Sequence, residues 1–173
     1  KAVQSLETLN RAAVFHPTGT GKSCIAWKVV EAHPQTTFFW LVAGAQRLAL
    51  RQAELTRYNG GTLPGNVRFC DCEKLAAATP EQWVRLGEQK PGCIVLDCYH
   101  ELSAVCWAQS VQKLLRMCPQ AKVLGLGVPN GAPVCAAAQE LFADCIVSHM
   151  TVAEAMAAGT MPVPSAYAAL LWP

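Results

Sequence analysis

The sequence predicts an α/β chain, a parallel sheet covered by helices on both faces. Three observations lead there. Apolar runs of strand length alternate with segments of helical period along most of the 173 residues. Two of those runs, "CIVLD" and "AKVLGLG", are almost continuously apolar, as strands buried on both faces are. Helices of this length between strands imply parallel pairing through right-handed crossovers.

The elements follow in order. "RAAVFH" (Arg11 to His16) reads as the first strand, followed by a Gly-rich turn and a helix from about Lys22 to His33. "TTFFWLVA" (Thr36 to Ala43) is the second strand, and "AQRLALRQAELTRY" is a helix with Leu48, Leu55 and Tyr58 at helical spacing. "NGG" and "LPG" break the chain before the strand "NVRFCDC". A helical stretch interrupted by Pro80 ends near Glu88, and the strand "CIVLDC" leads into a helix from Ser103 to about Met117. "AKVLGLGV" (Ala121 to Val128) is a strand, "VPNGAP" a loop, "VCAAAQELF" a helix, "CIVSHM" a short strand and "TVAEAMAAG" a last short helix. With no internal repeat in view, the expected organisation is one domain over residues 1–159 and an extended, proline-bearing tail over 160–173.

Composition narrows the function classes. A net charge of +2 with scattered Lys and Arg gives no basic block, so overall electrostatics do not argue for nucleic-acid binding. No run approaches the roughly 20 apolar residues that a membrane span requires. The start, "KAVQSLETLNRAAV", lacks a signal-peptide layout, and the expected location is cytoplasmic. Nine cysteines form no CxxC pair and sit mostly inside apolar runs, which fits buried free thiols better than disulfides or a zinc site.

The most specific signal is "FHPTGTGKSCIAW". It fits the end of the pattern G-x-x-x-x-G-K-[ST], with His16 in place of the first Gly, between a predicted strand and a predicted helix. Gly19 and Gly21 let the backbone curl so that the N–H groups of Pro17-Thr18-Gly19-Thr20-Gly21-Lys22-Ser23, Pro17 itself excepted, turn toward phosphate oxygens, and the helix N-terminus adds its dipole. In such a loop Lys22 reaches the β- and γ-phosphates and Ser23 offers its hydroxyl to Mg²⁺. An ordinary Gly-rich turn would not call for Lys-Ser directly after Gly-x-Gly.

Six blocks in order, "RAAVFHPTGTGKS", "FFWLVAGAQRLALRQ", "NVRFCDCEKL", "CIVLDCYHELSA", "AKVLGLGVPN" and "ELFADCIVSHMTVAEAMAAGTMPVPSAY", resemble the first RecA-like domain of superfamily 2 DEAD/DEAH-box helicases, closest to the restriction-enzyme type. The resemblance implies a P-loop NTPase of RecA-like fold that binds ATP and Mg²⁺. It implies a metal-side role for Asp97 beside Ser23, and a coupling role for His100. It also implies action on nucleic acid, DNA ahead of RNA, through a full-length protein whose second RecA-like lobe is not in this sequence.

Departures from the family pattern carry equal weight. Where the family has Asp-Glu-x-His, this chain has Asp97, Cys98, Tyr99 and His100, so Cys98 stands at the position of the water-activating Glu, and a thiol is a poor general base. The hydroxyl-bearing motif III is replaced by Gly127, Val128 and Pro129. In the second block Arg47 and Gln52 are candidates for contact with a nucleic-acid backbone, weighed against a plain solvated helix face.

The expected function is thus the ATP-binding first lobe of a helicase-like ATPase with impaired hydrolysis. The alternatives are a non-catalytic, nucleotide-dependent interaction module and a decayed helicase fragment. A small phosphotransferase fits worst, because no arginine follows Ala132 to form a lid. Trp27, Trp40, Trp83 and Trp107 are expected in the core, and His33 is expected to close its helix near the carbonyl end.

Overall fold

The computed structural model describes residues 1–99, 104–129 and 140–162. Six strands form a single all-parallel sheet: β1 (Arg11–Phe15), β2 (Phe38–Val42), β3 (Val67–Asp71), β4 (Cys93–Asp97), β5 (Lys122–Gly127) and β6 (Ile146–His149), in the order β3-β2-β4-β5-β1-β6. The helices are α1 (Ala2–Leu9), α2 (Lys22–Ala32), α3 (Ala45–Tyr58), α4 (Cys72–Ala76), α5 (Pro80–Glu88), α6 (Ala104–Cys106), α7 (Lys113–Met117) and α8 (Val152–Ala157), with a π-helical turn at Trp107–Gln112 between α6 and α7. This is the expected α/β class.

Alternate side chains of each buried strand divide the core into two layers, as a period of two requires. Phe38, Trp40, Val42, Val95, Leu124 and Leu126 pack with Leu6 of α1, Ala26, Trp27, Val29 and Val30 of α2 and Leu55 of α3. On the other face Phe39, Leu41, Ile94, Leu96 and Val123 pack with Trp83 of α5, Trp107, Val111, Leu114 and Phe142. The four core tryptophans are buried as expected. The eight cysteines of the described residues are free thiols, of which Cys72, Cys93 and Cys118 are buried.

Local sequence explains several boundaries. Thr79 caps α5 through a reciprocal capping box with Gln82, and Pro80 occupies the first turn, where its missing N–H costs nothing. Thr151 and Glu154 do the same for α8. His33 ends α2, its Nδ1 lying 2.9 Å from the Val29 carbonyl oxygen.

Two elements depart from the sequence reading. The opening residues form α1, with Leu6 buried against the sheet and Asn10 ending the helix at φ 58°. The helix after β4 is not uniform but contains the π-helical turn, within which the Ser110 hydroxyl donates to the Cys106 carbonyl.

In a parallel sheet all the C-terminal strand ends share one edge, and loops there form the usual ligand site. Here that edge gathers the loop after β1, the turn into α3 after β2, Cys98 after β4 and Val128 after β5. β5 pairs with both β1 and β4, so the loop-bearing strand and the Asp97 strand flank it, about 10 Å apart at two strand spacings.

Candidate nucleotide site

The loop 17–21 is shaped by its glycines. Gly19 (φ 85°) and Gly21 (φ 84°) occupy the left-handed region, and Thr20 Oγ1 donates to the Pro17 carbonyl at 2.7 Å to close the turn. Gly21 is the N-cap of α2 and offers no side chain to its first N–H groups, leaving that helix end available to an external acceptor. His16 does not need to curl: its N–H still donates to the Gly127 carbonyl at 3.2 Å, continuing the β1–β5 ladder. Its Nε2 lies 2.8 Å from Ser148 Oγ, tying the loop to the tip of β6. Burial, then the Lys22 and His149 charges, lower the His16 pKa.

Lys22 is 8% exposed, and its Nζ donates to the carbonyl oxygens of His16 (2.8 Å) and Pro17 (2.9 Å). Two of the ammonium's three donors thus brace the loop, and the third remains for an acceptor. Burial lowers the Lys22 pKa, with Cys98 and Asp97 opposing and Arg51 adding to the shift. Those pairings place Lys22, Asp97, Cys98 and Arg51 in one electrostatic neighbourhood. Ser23 is buried at the start of α2.

Asp97 ends β4 with 2% exposure. Its Oδ2 accepts from Trp40 Nε1 at 3.2 Å and from Arg51 Nε, while Arg51 Nη1 also donates to Glu54 Oε2 at 2.8 Å. Burial opposes the charge on Arg51, but Asp97 and Glu54 outweigh it and hold the pKa above its ordinary value. Asp97 Oδ1 is buried with no N–H or O–H partner among the described residues.

Cys98 follows with φ 51°, an uncommon conformation for a residue bearing a side chain. It is imposed from both sides, because Asp97 is held below and Tyr99 is locked into the core edge-on to Phe15 (5.8 Å, 85°) and against Phe142 (5.0 Å). Burial first, then the Asp97 charge, raise the Cys98 pKa, so the thiol stays protonated near neutrality. A neutral thiol with one weak donor does not polarise water as a carboxylate does.

The loop suits a polyphosphate: an uncapped helix end, left-handed glycines whose added Cβ would meet open space or only Cys24 at 4.0 Å, and a braced ammonium. The acid suits a metal ion less well. Its charge is already answered by Arg51, and among the described residues no group of three or more His, Cys, Asp or Glu could hold a metal.

Arg47 is exposed and Gln52 half-buried on α3; His100 lies outside the described residues. Sequence reasoning passed over Arg51. Its signal was present, since Arg51 follows Leu48 by three residues and precedes Leu55 by four, which puts it on the inward stripe of α3. Trp40, expected in the core, also serves the site: it stacks on Phe69 at 5.8 Å while its indole N–H holds Asp97. Gly127, at the end of β5, serves packing: a Cβ there would lie 3.0 Å from the Phe15 ring and 3.3 Å from Tyr99.

An apolar cavity of about 240 Å³ opens at the other edge of the sheet, lined by Leu6, Val29, Phe38 and Cys93 among others, and includes none of residues 17–23.

No family model matches the chain, and no curated protein matches it. Among solved structures it is similar to the arterivirus nonstructural protein 10, a helicase, in complex with DNA, at 19% identity and a TM-score of 0.46 over 85% of this chain and 36% of that one. The chain thus spans about a third of that protein's length. No helix of the described residues is long and apolar enough to cross a membrane.

Proposed function

We propose that this chain is the nucleotide-binding lobe of a helicase-like protein, RecA-like in design, that holds ATP in the loop Pro17–Ser23 and hydrolyses it poorly. The observation that carries the reading is the loop itself. Left-handed glycines, an uncapped helix N-terminus and the braced Lys22 ammonium converge at the C-terminal edge of a parallel sheet, across one strand from a buried acid.

Poor hydrolysis follows from Cys98. A positioned base contributes about 10²–10⁴-fold to such a step, and the strand tip offers a protonated thiol where that base would stand. The same observation supports the second reading, an interaction module whose ligand-bound shape matters and whose chemistry does not. Action on nucleic acid, DNA ahead of RNA, rests on the sequence blocks, with Arg47 and Gln52 as the proposed backbone contacts on α3.

The test is nucleotide affinity measured by calorimetry on the wild-type chain and on Lys22→Ala. The reading expects saturable binding by the wild type and a loss of about 100-fold or more in the variant, which corresponds to ~2.7 kcal/mol. Equal affinity in both would overturn it.

A further inference from the structure

We propose that Arg51 takes the place of a divalent cation at the acid of this site, so that the chain binds a nucleoside triphosphate with little dependence on Mg²⁺. The proposal rests on the reading of loop 17–23 as the nucleotide site and adds to it the charge that accompanies the ligand.

Three features of the site carry the inference. The Asp97 side chain is 1% exposed, and its Oδ2 is taken by Arg51 Nε and by Trp40 Nε1. Its Oδ1 has no exposed surface, so a hydrated ion does not reach the carboxylate from that side in this conformation. Arg51 is anchored a second time, through Nη1 to Glu54, on the inward stripe of a 14-residue helix. A guanidinium does not lose its proton in a protein, so this is a permanent positive charge.

Mg²⁺ is ordinarily held by one or two carboxylates together with substrate phosphates and water. Here the residue that follows Asp97 is the thiol Cys98, and the carboxylate at the strand tip is already neutralised by Arg51. An incoming dication would meet the charges of Arg51 and Lys22, while the nearby carboxylates, Asp97 and Glu54, are both already paired with Arg51. The triphosphate has the opposite experience. It meets Lys22, the α2 N-terminus and Arg51, whose bonds to Asp97 and Glu54 use only two of its five N–H donors.

The experiment is calorimetric titration of a non-hydrolysable ATP analogue into the wild-type chain, Arg51→Gln and Arg51→Lys, each in EDTA and in excess Mg²⁺, with thermal melting to confirm folding. The proposal expects wild-type affinities within about threefold of each other in the two buffers, an Arg51→Gln chain at least about tenfold tighter in Mg²⁺ than in EDTA, and Arg51→Lys behaving as wild type. A wild-type chain that binds tenfold or more tightly in Mg²⁺, with the gain removed by Asp97→Asn, overturns the proposal and leaves the nucleotide reading standing. Absence of binding by the wild type in both buffers defeats the nucleotide reading and the proposal together. If Arg51→Gln does not fold, the wild-type comparison still decides.

Discussion

Cys98 and His16 carry the predictions that belong to single residues. Cys98→Gly should stabilise the tip of β4, because φ 51° costs a glycine nothing and a residue with a side chain about 1 kcal/mol; denaturant unfolding reads the gain. His16 is buried and its pKa is lowered, so the unfolded chain takes up a proton more readily than the folded one. Its contribution to stability is complete above the unfolded value of about 6.5 and is lost as pH falls below it toward the folded pKa. Melting temperature should therefore drop between pH 7.5 and 5.5, and His16→Gln should flatten that dependence. At this scale the sequence made the loop legible, since Gly-x-Gly-Lys-Ser between strand and helix has few other uses. It did not make the Arg51–Asp97 pair legible, because a contact across 46 positions depends on which helix face turns inward and on the strand order beneath it.

At the scale of elements, β5 is under the tightest steric constraint. A Cβ on Gly125 would lie 2.7 Å from the Phe142 ring and 2.9 Å from Tyr99. Gly125→Ala should cost about 1–3 kcal/mol through overpacking, and lower Tm by about 2–4 °C for each kcal/mol in a chain of this size. Because Tyr99 is one residue from Cys98, the same variant should also weaken nucleotide binding, whereas a surface change such as Val84→Ala on α5 should leave it intact. Helices with strong start signals, such as Thr79-Pro80 with Gln82, were readable from the chain. α1 was not: it is eight residues long, its N-cap Lys1 makes no side-chain capping bond, and it is held by the burial of Leu6 against the sheet. The π-helical turn has no local signature either, since it accommodates how Trp107 and Val111 fit beneath the sheet.

For the whole molecule, the alternation of strands and helices implied parallel pairing but left the strand order open. That order is what matters for the site. Placing β5 between β1 and β4 sets the loop 17–21 and Asp97 on either side of one strand, and running α3 along the same face brings Arg51 over the acid. The resulting edge holds positive charge at Lys22 and Arg51, carboxylates at Asp97 and Glu54 that Arg51 already pairs, and a protonated thiol, a constellation suited to retaining an anionic ligand and not to activating water against it. The account is tested most directly by single-turnover ATP hydrolysis, with and without DNA, in the wild type and in Cys98→Glu. It predicts bound but largely uncleaved ATP in the wild type and a rate increased by about 10²-fold or more when the carboxylate is supplied. Fast, nucleic-acid-stimulated turnover by the wild-type chain would contradict it.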